Sequence, residues 1–277
     1  MRRTSGPRVP ARSGSAAGCT VAPVTDDLSL AHELADVADQ MTLGRWRATD
    51  LRVDTKPDLS PVSEVDRAVE LELRSRLATA RPWDGVYGEE EGGDTLGAPR
   101  RWILDPVDGT RNYVRGLPVF ATLITLEVDG RYELGLVSAP ALRQRWWAAR
   151  GRGAHNNHGP IRVSQVRAIS DAYISAGDPR FIEAPAVGAA YAALAKRCWT
   201  ARAFGDFWGH ALAAQGSIDI SVEVGAHLWD WAPLLVIVEE AGGRFTDLDG
   251  TVRPDGSAAI ISNGLLHDEV LAALRVR

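Results

Sequence analysis

The most informative stretch of this sequence is Trp102-Ile103-Leu104-Asp105-Pro106-Val107-Asp108-Gly109-Thr110. An apolar strand is predicted to end at the carboxylate of Asp105, and Pro106 prevents the chain from continuing as a helix. A second carboxylate follows at Asp108, and Gly109 permits a tight turn that presents the hydroxyl of Thr110. Hard divalent cations prefer oxygen ligands of this kind, and a turn allows a backbone carbonyl to join them. For Asp108 and Gly109 alone, an ordinary Asp-Gly β-turn is the alternative.

Two further acidic segments lie on either side of this stretch. The upstream segment is Gly88-Glu89-Glu90-Glu91-Gly92-Gly93, which by itself is typical of a solvated acidic loop. The downstream segment is Trp229-Asp230-Trp231, which is predicted to precede a buried helix over Trp231 to Ala241 that ends at Gly242-Gly243. By itself Asp230 is typical of a helix N-cap. Together, the three acidic segments favour a cation site.

Composition restricts the class of protein. The chain has 277 residues, of which 45% are hydrophobic and 24% charged, so one large or two intimate folded domains are expected. The longest apolar run is too short for a membrane span. The net charge is −5, which argues against nucleic acid as a partner. The two cysteines suit a reducing cytoplasm.

The chain divides into an N-terminal extension and one large domain. Residues 1–25 are rich in Gly, Pro, Ser and Arg, have no apolar signal-peptide core, and are predicted to be disordered. Residues 26–277 are predicted to form the domain, with an α+β part up to about residue 153 and an α/β part from 154. Apolar periodicity predicts helices over Leu30–Met41 and Val65–Leu77. Ser63 and Asp66 form a capping-box pattern at the second of these.

The rest of the chain alternates strands and helices. Short β-rich runs follow Trp102, and Asp129-Gly130 between two of them is typical of a hairpin turn. Later segments predict strands over Arg244–Thr246 and Ala258–Ser262 and a closing helix over Leu265–Leu274. Strands alternating with helices, plus an antiparallel meander, indicate a layered α/β or α+β architecture.

In this order the three acidic segments resemble the signatures of the inositol monophosphatase family of metal-dependent phosphatases, from about Asp26 to the C-terminus. Glu240-Ala241-Gly242-Gly243 belongs to the third signature. Within the family, the segments DTKPDLSPVSEVDRAVE, WILDPVDGTRNYVRGLP and SAPALRQRWWAARGRGA are most similar to the actinobacterial histidinol-phosphate phosphatases. The resemblance implies a layered αβαβα sandwich, a homodimer and hydrolysis of a small phosphate monoester.

The resemblance also implies two to three Mg²⁺ ions per subunit. One ion is assigned to Glu89, Asp105 and the Val107 carbonyl. A second is assigned to Asp105, Asp108 and Asp230, so that Asp105 bridges the two. Glu89 is assigned to a weaker third ion as well. The family also implies that Li⁺ replaces Mg²⁺ at the second site and inhibits.

Catalytic roles follow from the same resemblance. Thr110, paired with Asp66, would orient the attacking water, and Glu89 is counted with them as catalytic. The backbone amides of Gly109 and Thr110 would bind phosphate oxygens, and Lys56 matches a flexible basic loop near the metals. The metals would activate water and neutralise the leaving alkoxide, so no covalent intermediate is required.

The substrate pocket is assigned to Arg202, Asp206 and Glu223. Two carboxylates facing the leaving group would repel an anionic sugar phosphate but suit the ammonium and imidazole of L-histidinol phosphate, an intermediate of histidine biosynthesis. For Asp206 the alternative is a helix cap.

Three other functions are alternatives to this one. One is an inositol-1-monophosphatase or a broad-specificity sugar phosphatase. Another is a non-catalytic phosphate-binding scaffold of the same fold. A phosphatase of the haloacid dehalogenase type is disfavoured, because its nucleophile motif spaces two aspartates differently from Asp105 and Asp108.

Overall fold

The computed structural model describes residues 24–57, 59–93, 98–177, 185–253 and 256–275. Residues 1–23 of the predicted N-terminal extension lie outside these ranges, whereas its last two residues, Val24 and Thr25, are wrongly assigned to it because they begin the first helix. Within them, no helix is long and apolar enough to cross a membrane.

The described residues form seven α-helices and fourteen strands. The helices are α1 (Val24–Arg45), α2 (Glu64–Ala80), α3 (Thr110–Val114), α4 (Pro185–Ala195), α5 (Asp206–Ala214), α6 (Leu228–Glu240) and α7 (His267–Leu274). The strands are β1 (Val53–Thr55), β2 (Pro61–Ser63), β3 (Gly85–Gly88), β4 (Arg100–Asp108), β5 (Ala121–Val128), β6 (Arg131–Ala139), β7 (Gln144–Ala149), β8 (Ala154–Asn156), β9 (Gly159–Ile161), β10 (Tyr173–Ala176), β11 (Thr200–Arg202), β12 (Ile220–Val224), β13 (Arg244–Thr246) and β14 (Ala258–Ser262).

Two large sheets organise the molecule. The first has seven strands in the order β3-β4-β5-β6-β7-β8-β9, antiparallel except for the parallel pair β3–β4. The second has five strands in the order β11-β10-β12-β14-β13 and is mixed. Strands β8 and β9 follow the predicted division near residue 153, yet they extend the first sheet. A small hairpin, β1–β2, stands apart from both sheets.

The helices complete five layers. Helices α1 and α2 pack on one face of the seven-stranded sheet, and α5 and α6 lie between the two sheets. Helices α4 and α7 cover the outer face of the five-stranded sheet. The predicted αβαβα sandwich is therefore confirmed.

Successive side chains of a strand face opposite sides of the sheet, and this decides to which hydrophobic core each residue belongs. Trp102 and Leu104 of β4 are buried against α1 and α2, whereas Ile103 between them is buried against α5 and α6, as the period of two residues in a strand requires. Trp146 and Trp147 of β7 are adjacent, so their side chains face opposite ways as well. Trp146 lies in the core between the sheets, and Trp147 packs on the α1–α2 side.

Several local predictions are confirmed. Ser63 and Asp66 form the capping box of α2. Asp129 and Gly130 connect β5 to β6 with positive φ angles of 49° and 79°. Gly242, just beyond α6, has a φ of 88°, which favours glycine at a helix C-terminus.

Two predicted boundaries were wrong. Strand β4 does not end at Asp105 but continues through Pro106 to Asp108. Proline is tolerated there because the pairing with β5 shifts register between Asp105 and Asp108, so the missing N–H costs no regular ladder bond. Helix α6 begins at Leu228, so Asp230 lies inside its first turn rather than before it.

Close packing fixes α6 against the first sheet. Gly135 of β6 faces the backbone of α6, and a Cβ at this position would lie 2.2 Å from the carbonyl oxygen of Pro233. Any larger residue would therefore push the helix away from the sheet. Since α6 also carries Asp230, this contact helps to set the distance between Asp230 and the carboxylates of β4.

Candidate active site

Three carboxylates from two distant parts of the chain meet at the end of β4. Asp105 and Asp108 come from the strand itself, and Asp230 comes from the first turn of α6. One oxygen atom from each residue lies within 4.8 Å of the other two. Oxygen atoms grouped at this spacing form a candidate site for a hard divalent cation.

The local structure of β4 presents these groups. Asp105 Oδ1 accepts a hydrogen bond of 3.0 Å from the Val107 backbone N–H. The Pro106 carbonyl accepts one of 2.8 Å from the Thr122 hydroxyl on β5. These bonds hold the irregular end of the strand, so that both aspartates project from one short segment.

Asp108 and Asp230 each have a second partner in the backbone. Asp108 Oδ2 accepts a hydrogen bond of 2.7 Å from the N–H of Phe207 in the first turn of α5. Asp230 Oδ2 accepts one of 2.7 Å from the N–H of His227, just before α6. Asp230 is therefore not the N-cap of α6, a position that His227 holds; it accepts the N-cap amide from the third helical position and belongs to the carboxylate cluster as well.

Burial and mutual repulsion dominate the electrostatics of the cluster. Burial raises the pKa of Asp105 well above its usual value, and the charges of Glu89, Asp108 and Asp230 raise it further. Burial also raises the pKa values of Asp108 and Asp230, and nearby carboxylates add to both. Such a cluster is costly without compensating positive charge.

Glu89 contributes to this repulsion from the turn after β3, where Lys56 of the β1–β2 loop supplies a counter-charge. Lys56 Nζ lies 2.7 Å from Glu89 Oε1 and 2.6 Å from Glu90 Oε1. Burial alone would lower the pKa of Lys56, but its bonds to the two glutamates raise it. Burial raises the pKa of Glu90 to about 7, against the opposing effect of Lys56.

The predicted pair of Thr110 and Asp66 is in contact. Thr110 Oγ1 lies 3.0 Å from Asp66 Oδ1 and 2.9 Å from the carbonyl oxygen of Val107. The other oxygen of Asp66 accepts bonds from the backbone N–H and the hydroxyl of Ser63. Asp66 is fully buried, and this burial raises its pKa.

Gly109 precedes α3 in a conformation that suits glycine. Its φ is 81°, and a Cβ there would lie 2.8 Å from the Val119 carbonyl oxygen. The backbone at Gly109 and Thr110 therefore approaches the site with no side chain in the way.

Asp206 stands at the edge of the cluster. Its carboxylate accepts a hydrogen bond of 2.7 Å from the Asn112 side-chain amide. It does not cap α5, because Gly205 occupies the N-cap and Asp108 accepts the Phe207 amide. Burial raises the pKa of Asp206 to about 6, and the charge of Glu223 acts in the same direction.

Arg202 lies apart from these contacts. It is exposed on β11, at the edge of the second sheet, and its guanidinium group bonds Thr200 and the Ala201 carbonyl of its own strand. Its assignment to substrate stays a prediction.

Sequence reasoning missed the supporting contacts of Glu90, Asn112 and Glu70. Glu70 of α2 is fully buried and accepts the backbone N–H groups of Glu90 and Glu91, at 2.8 and 3.1 Å. Gly88 makes this possible, because a Cβ there would lie 2.1 Å from Glu70 Oε1. Glu90 could have been identified because it is adjacent to Glu89, whereas the roles of Asn112 and Glu70 depend on tertiary contacts that the sequence does not reveal.

Comparison with known proteins gives consistent findings. Residues 24–277 match the sequence model of the Inositol monophosphatase family. The chain is 50% identical to a histidinol-phosphatase of Mycobacterium tuberculosis, over 90% of this chain and 98% of that protein. It is 48% identical to a histidinol-phosphatase of Streptomyces coelicolor, over 91% and 98% of the two chains. Among solved structures, the Thermotoga maritima IMPase superposes with a TM-score of 0.82 at 31% identity, covering 90% of this chain and 96% of that one.

Proposed function

The chain belongs to the inositol monophosphatase family, and from this premise we propose that it is a Mg²⁺-dependent phosphatase that hydrolyses L-histidinol phosphate. The observation that carries the proposal is the cluster of Asp105, Asp108 and Asp230, whose oxygen atoms lie within 4.8 Å of one another. The histidinol-phosphatases that are about half identical over nearly their whole length support the substrate.

The donor set fits Mg²⁺. All the proposed ligands are oxygen atoms. The carboxylates of Asp105, Asp108 and Asp230 are buried and repel one another. Divalent cations would neutralise this negative charge. Glu89, Asp105 and the Val107 carbonyl would hold one ion. Asp105, Asp108 and Asp230 would hold a second, and Glu89 would contribute to a weaker third.

When bound, Mg²⁺ supplies Lewis acidity for the ester, activation of water and neutralisation of the leaving alkoxide. The protein's own contribution begins with Thr110. If its hydroxyl proton is given to Asp66, the oxygen of Thr110 is left to accept a hydrogen bond from the attacking water. The buried Asp66 is itself held by Ser63, so its other oxygen has a fixed position beside the Thr110 hydroxyl. Glu89 stands beside this pair as the remaining catalytic carboxylate.

The phosphate group would be bound by the backbone amides of Gly109 and Thr110. Gly109 has no Cβ that could hinder this approach. Lys56 would bring a positive charge to the same end of the site from the β1–β2 loop. Its salt bridges with Glu89, a proposed metal ligand, and with Glu90 support this assignment.

The leaving group would be recognised by Asp206 and Glu223, with Arg202 as a further candidate. Asp206 and Glu223 are close enough for the charge of Glu223 to raise the pKa of Asp206. A cationic leaving group would relieve that repulsion, whereas an anionic sugar would increase it. L-Histidinol carries an ammonium group and an imidazole, both of which suit this pair.

Two alternatives make different predictions. An inositol-1-monophosphatase or broad-specificity sugar phosphatase is favoured by the structural similarity to the Thermotoga maritima IMPase. A non-catalytic phosphate-binding scaffold would be expected to lack a ligand, yet every proposed carboxylate is present. We also propose that the protein is a homodimer, as the family resemblance implies, and that it acts in the cytoplasm, which its two cysteines suit.

A substrate panel tests the proposal. The purified protein with Mg²⁺ would be assayed on L-histidinol phosphate, myo-inositol 1-phosphate, fructose 1,6-bisphosphate and adenosine 3′,5′-bisphosphate. The highest kcat/KM is expected for L-histidinol phosphate. A preference for inositol phosphate would overturn the substrate, and no hydrolysis of any ester would favour the scaffold.

A further inference from the structure

A buried histidine lies behind the proposed leaving-group pocket. His210 of α5 is only 2% exposed. Its Nε2 atom lies 2.6 Å from Glu223 Oε2, and its Nδ1 atom lies 2.9 Å from the hydroxyl oxygen of Ser221. Ser221 and Glu223 are two residues apart on β12, so both side chains project from the face of the strand that meets α5.

These contacts assign the hydrogen-bonding roles of the imidazole. A carboxylate only accepts hydrogen bonds, so Nε2 must carry a proton to bond Glu223. In the neutral ring Nδ1 then accepts the proton of the Ser221 hydroxyl. Ser221 thus holds the ring in the orientation in which Nε2 donates to Glu223.

The position of the ring is also fixed by packing. Gly209, the preceding residue, lies so close to its neighbours that a Cβ there would be 2.5 Å from the Phe204 carbonyl oxygen and 2.9 Å from Ser221 Oγ. Helix α5 therefore approaches β12 closely at this point. The imidazole of His210 is therefore carried by a closely packed helix and not by a loop.

Glu223 is confined from its other side as well. A Cβ at Gly177 would lie 3.0 Å from Glu223 Oε1, so the carboxylate fills the space that a side chain at Gly177 would need. The Glu223 side chain keeps 20% of its surface exposed, in contrast to 3% for His210. One oxygen of Glu223 is thus engaged by a buried donor, while a fifth of the side-chain surface stays exposed.

We propose that His210 is a positioning residue that holds Glu223 in the orientation needed to bind the cationic part of the leaving group. This inference rests on the proposed function. A free glutamate side chain samples several rotamers, and ordering it on binding weakens affinity. A hydrogen bond from a fixed imidazole removes that loss before the substrate arrives.

The test compares three substitutions at one position. His210→Gln places an amide N–H near the former Nε2 and keeps a donor for Glu223. His210→Asn places its amide nearer to the former Nδ1, and His210→Leu removes both polar groups. Each variant would be assayed on L-histidinol phosphate and on β-glycerophosphate, an ester of an uncharged alcohol.

For L-histidinol phosphate, His210→Leu and His210→Asn are expected to raise KM by about 10-fold to 100-fold, the usual effect of losing a hydrogen bond to a charged group. Their kcat should change by less than about threefold, because no reacting atom is touched. His210→Gln should remain within about threefold of the wild type in KM. None of the three should change the KM for β-glycerophosphate by more than about threefold.

Equal losses in the Gln and Asn variants, or equal losses on both esters, would assign His210 to structure alone. If His210→Leu does not fold, the comparison of the Gln and Asn variants still decides. A wild-type enzyme that prefers L-histidinol phosphate while all three variants keep that preference would overturn the positioning role only. A wild-type enzyme without that preference would overturn the proposed function instead.

Discussion

Asp108 Oδ2 accepts a hydrogen bond of 2.7 Å from the backbone N–H of Phe207, although the two residues belong to different parts of the fold. This bond ties the end of β4 to the first turn of α5. The carboxylate cluster and the packing of α5 against the first sheet are thus linked through one side chain. A substitution of Asp108 would disturb both, so Asp105 is the cleaner position for testing the cluster.

Asp105→Asn should reduce kcat/KM by about 10³-fold or more, because it removes the charge that would bridge two cations. The amide oxygen of Asn can still accept the hydrogen bond from the Val107 N–H. Steady-state kinetics on L-histidinol phosphate would measure the loss, with circular dichroism as the control for folding. Near-full activity in a folded variant would contradict the metal assignment.

Addition of Mg²⁺ should raise the melting temperature of the wild-type protein. Ligand that binds only the folded state stabilises it by about 2.7 kcal/mol at a concentration 100-fold above Kd. In Asp105→Asn the rise should be smaller, and the metal-free variant should be no less stable than the metal-free wild type, since a buried repelling charge is gone. Thermal unfolding with EDTA or with increasing MgCl₂ would measure both effects. Equal shifts in the two proteins would exclude Asp105 as a ligand.

Asp206→Asn should lower kcat/KM for L-histidinol phosphate by about 10-fold to 150-fold, the range for a lost charge-assisted hydrogen bond. Hydrolysis of myo-inositol 1-phosphate should scarcely change, because its alcohol carries no positive charge. Asp171→Asn, which removes a carboxylate from an exposed site, is the matched control. If Asp206→Asn loses equal activity on both esters, Asp206 has a structural role.

LiCl in the millimolar range should inhibit the enzyme more strongly than NaCl at the same concentration. The reason is the family resemblance, which implies that Li⁺ replaces Mg²⁺ at the second site and traps product phosphate. Inhibition curves at fixed MgCl₂, with NaCl controlling for ionic strength, would measure the difference. An identical response to the two salts would remove support for this site.

The stability of the protein should depend on pH through His267, which is remote from the carboxylate cluster in sequence. Burial, followed by the charge of Arg244, lowers the pKa of His267 from 6.5 to about 4. Between these two values the unfolded chain binds more protons than the folded one, so the free energy of unfolding decreases as pH falls. At pH 5 this group should account for about 1–2 kcal/mol of lost stability relative to pH 7.5.

Urea unfolding of the wild type and His267→Gln at both pH values would isolate this contribution. The ring nitrogens of His267 bond Ser262 and Thr246, so the variant should be less stable at pH 7.5. The difference between the two proteins should shrink at pH 5. A difference that is the same at both pH values would show that His267 does not carry the effect.

Local pattern predicted a layered α/β or α+β architecture, whereas the αβαβα order and the grouping of Asp230 with Asp105 and Asp108 were predictable only through the family resemblance. The spacing of Ser63 and Asp66 predicts the start of α2. The Asp-Pro-x-Asp-Gly-Thr sequence predicts that β4 ends nearby. The extension of β4 past Pro106 was not predictable, since it depends on the register with β5.

Apart from the Thr110–Asp66 pair, which the family resemblance implied, the partners of the site residues could not be predicted from the sequence. The contact between Asp108 and Phe207, the salt bridges of Lys56 and the bond between His210 and Glu223 all join residues far apart in the chain. Periodicity and spacing report on neighbours in sequence, whereas these contacts arise only after the sheets and helices have packed.

The division of the cluster between β4 and α6 has a consequence for protein synthesis. Asp105 and Asp108 leave the ribosome well before Asp230, which lies close to the C-terminal end of the chain. A nascent chain therefore exposes acidic groups that have no complete set of partners until α6 has emerged and docked on the first sheet. Binding of a cation by all three aspartates, as proposed, would consequently be a late event, and any product truncated before α6 would lack Asp230.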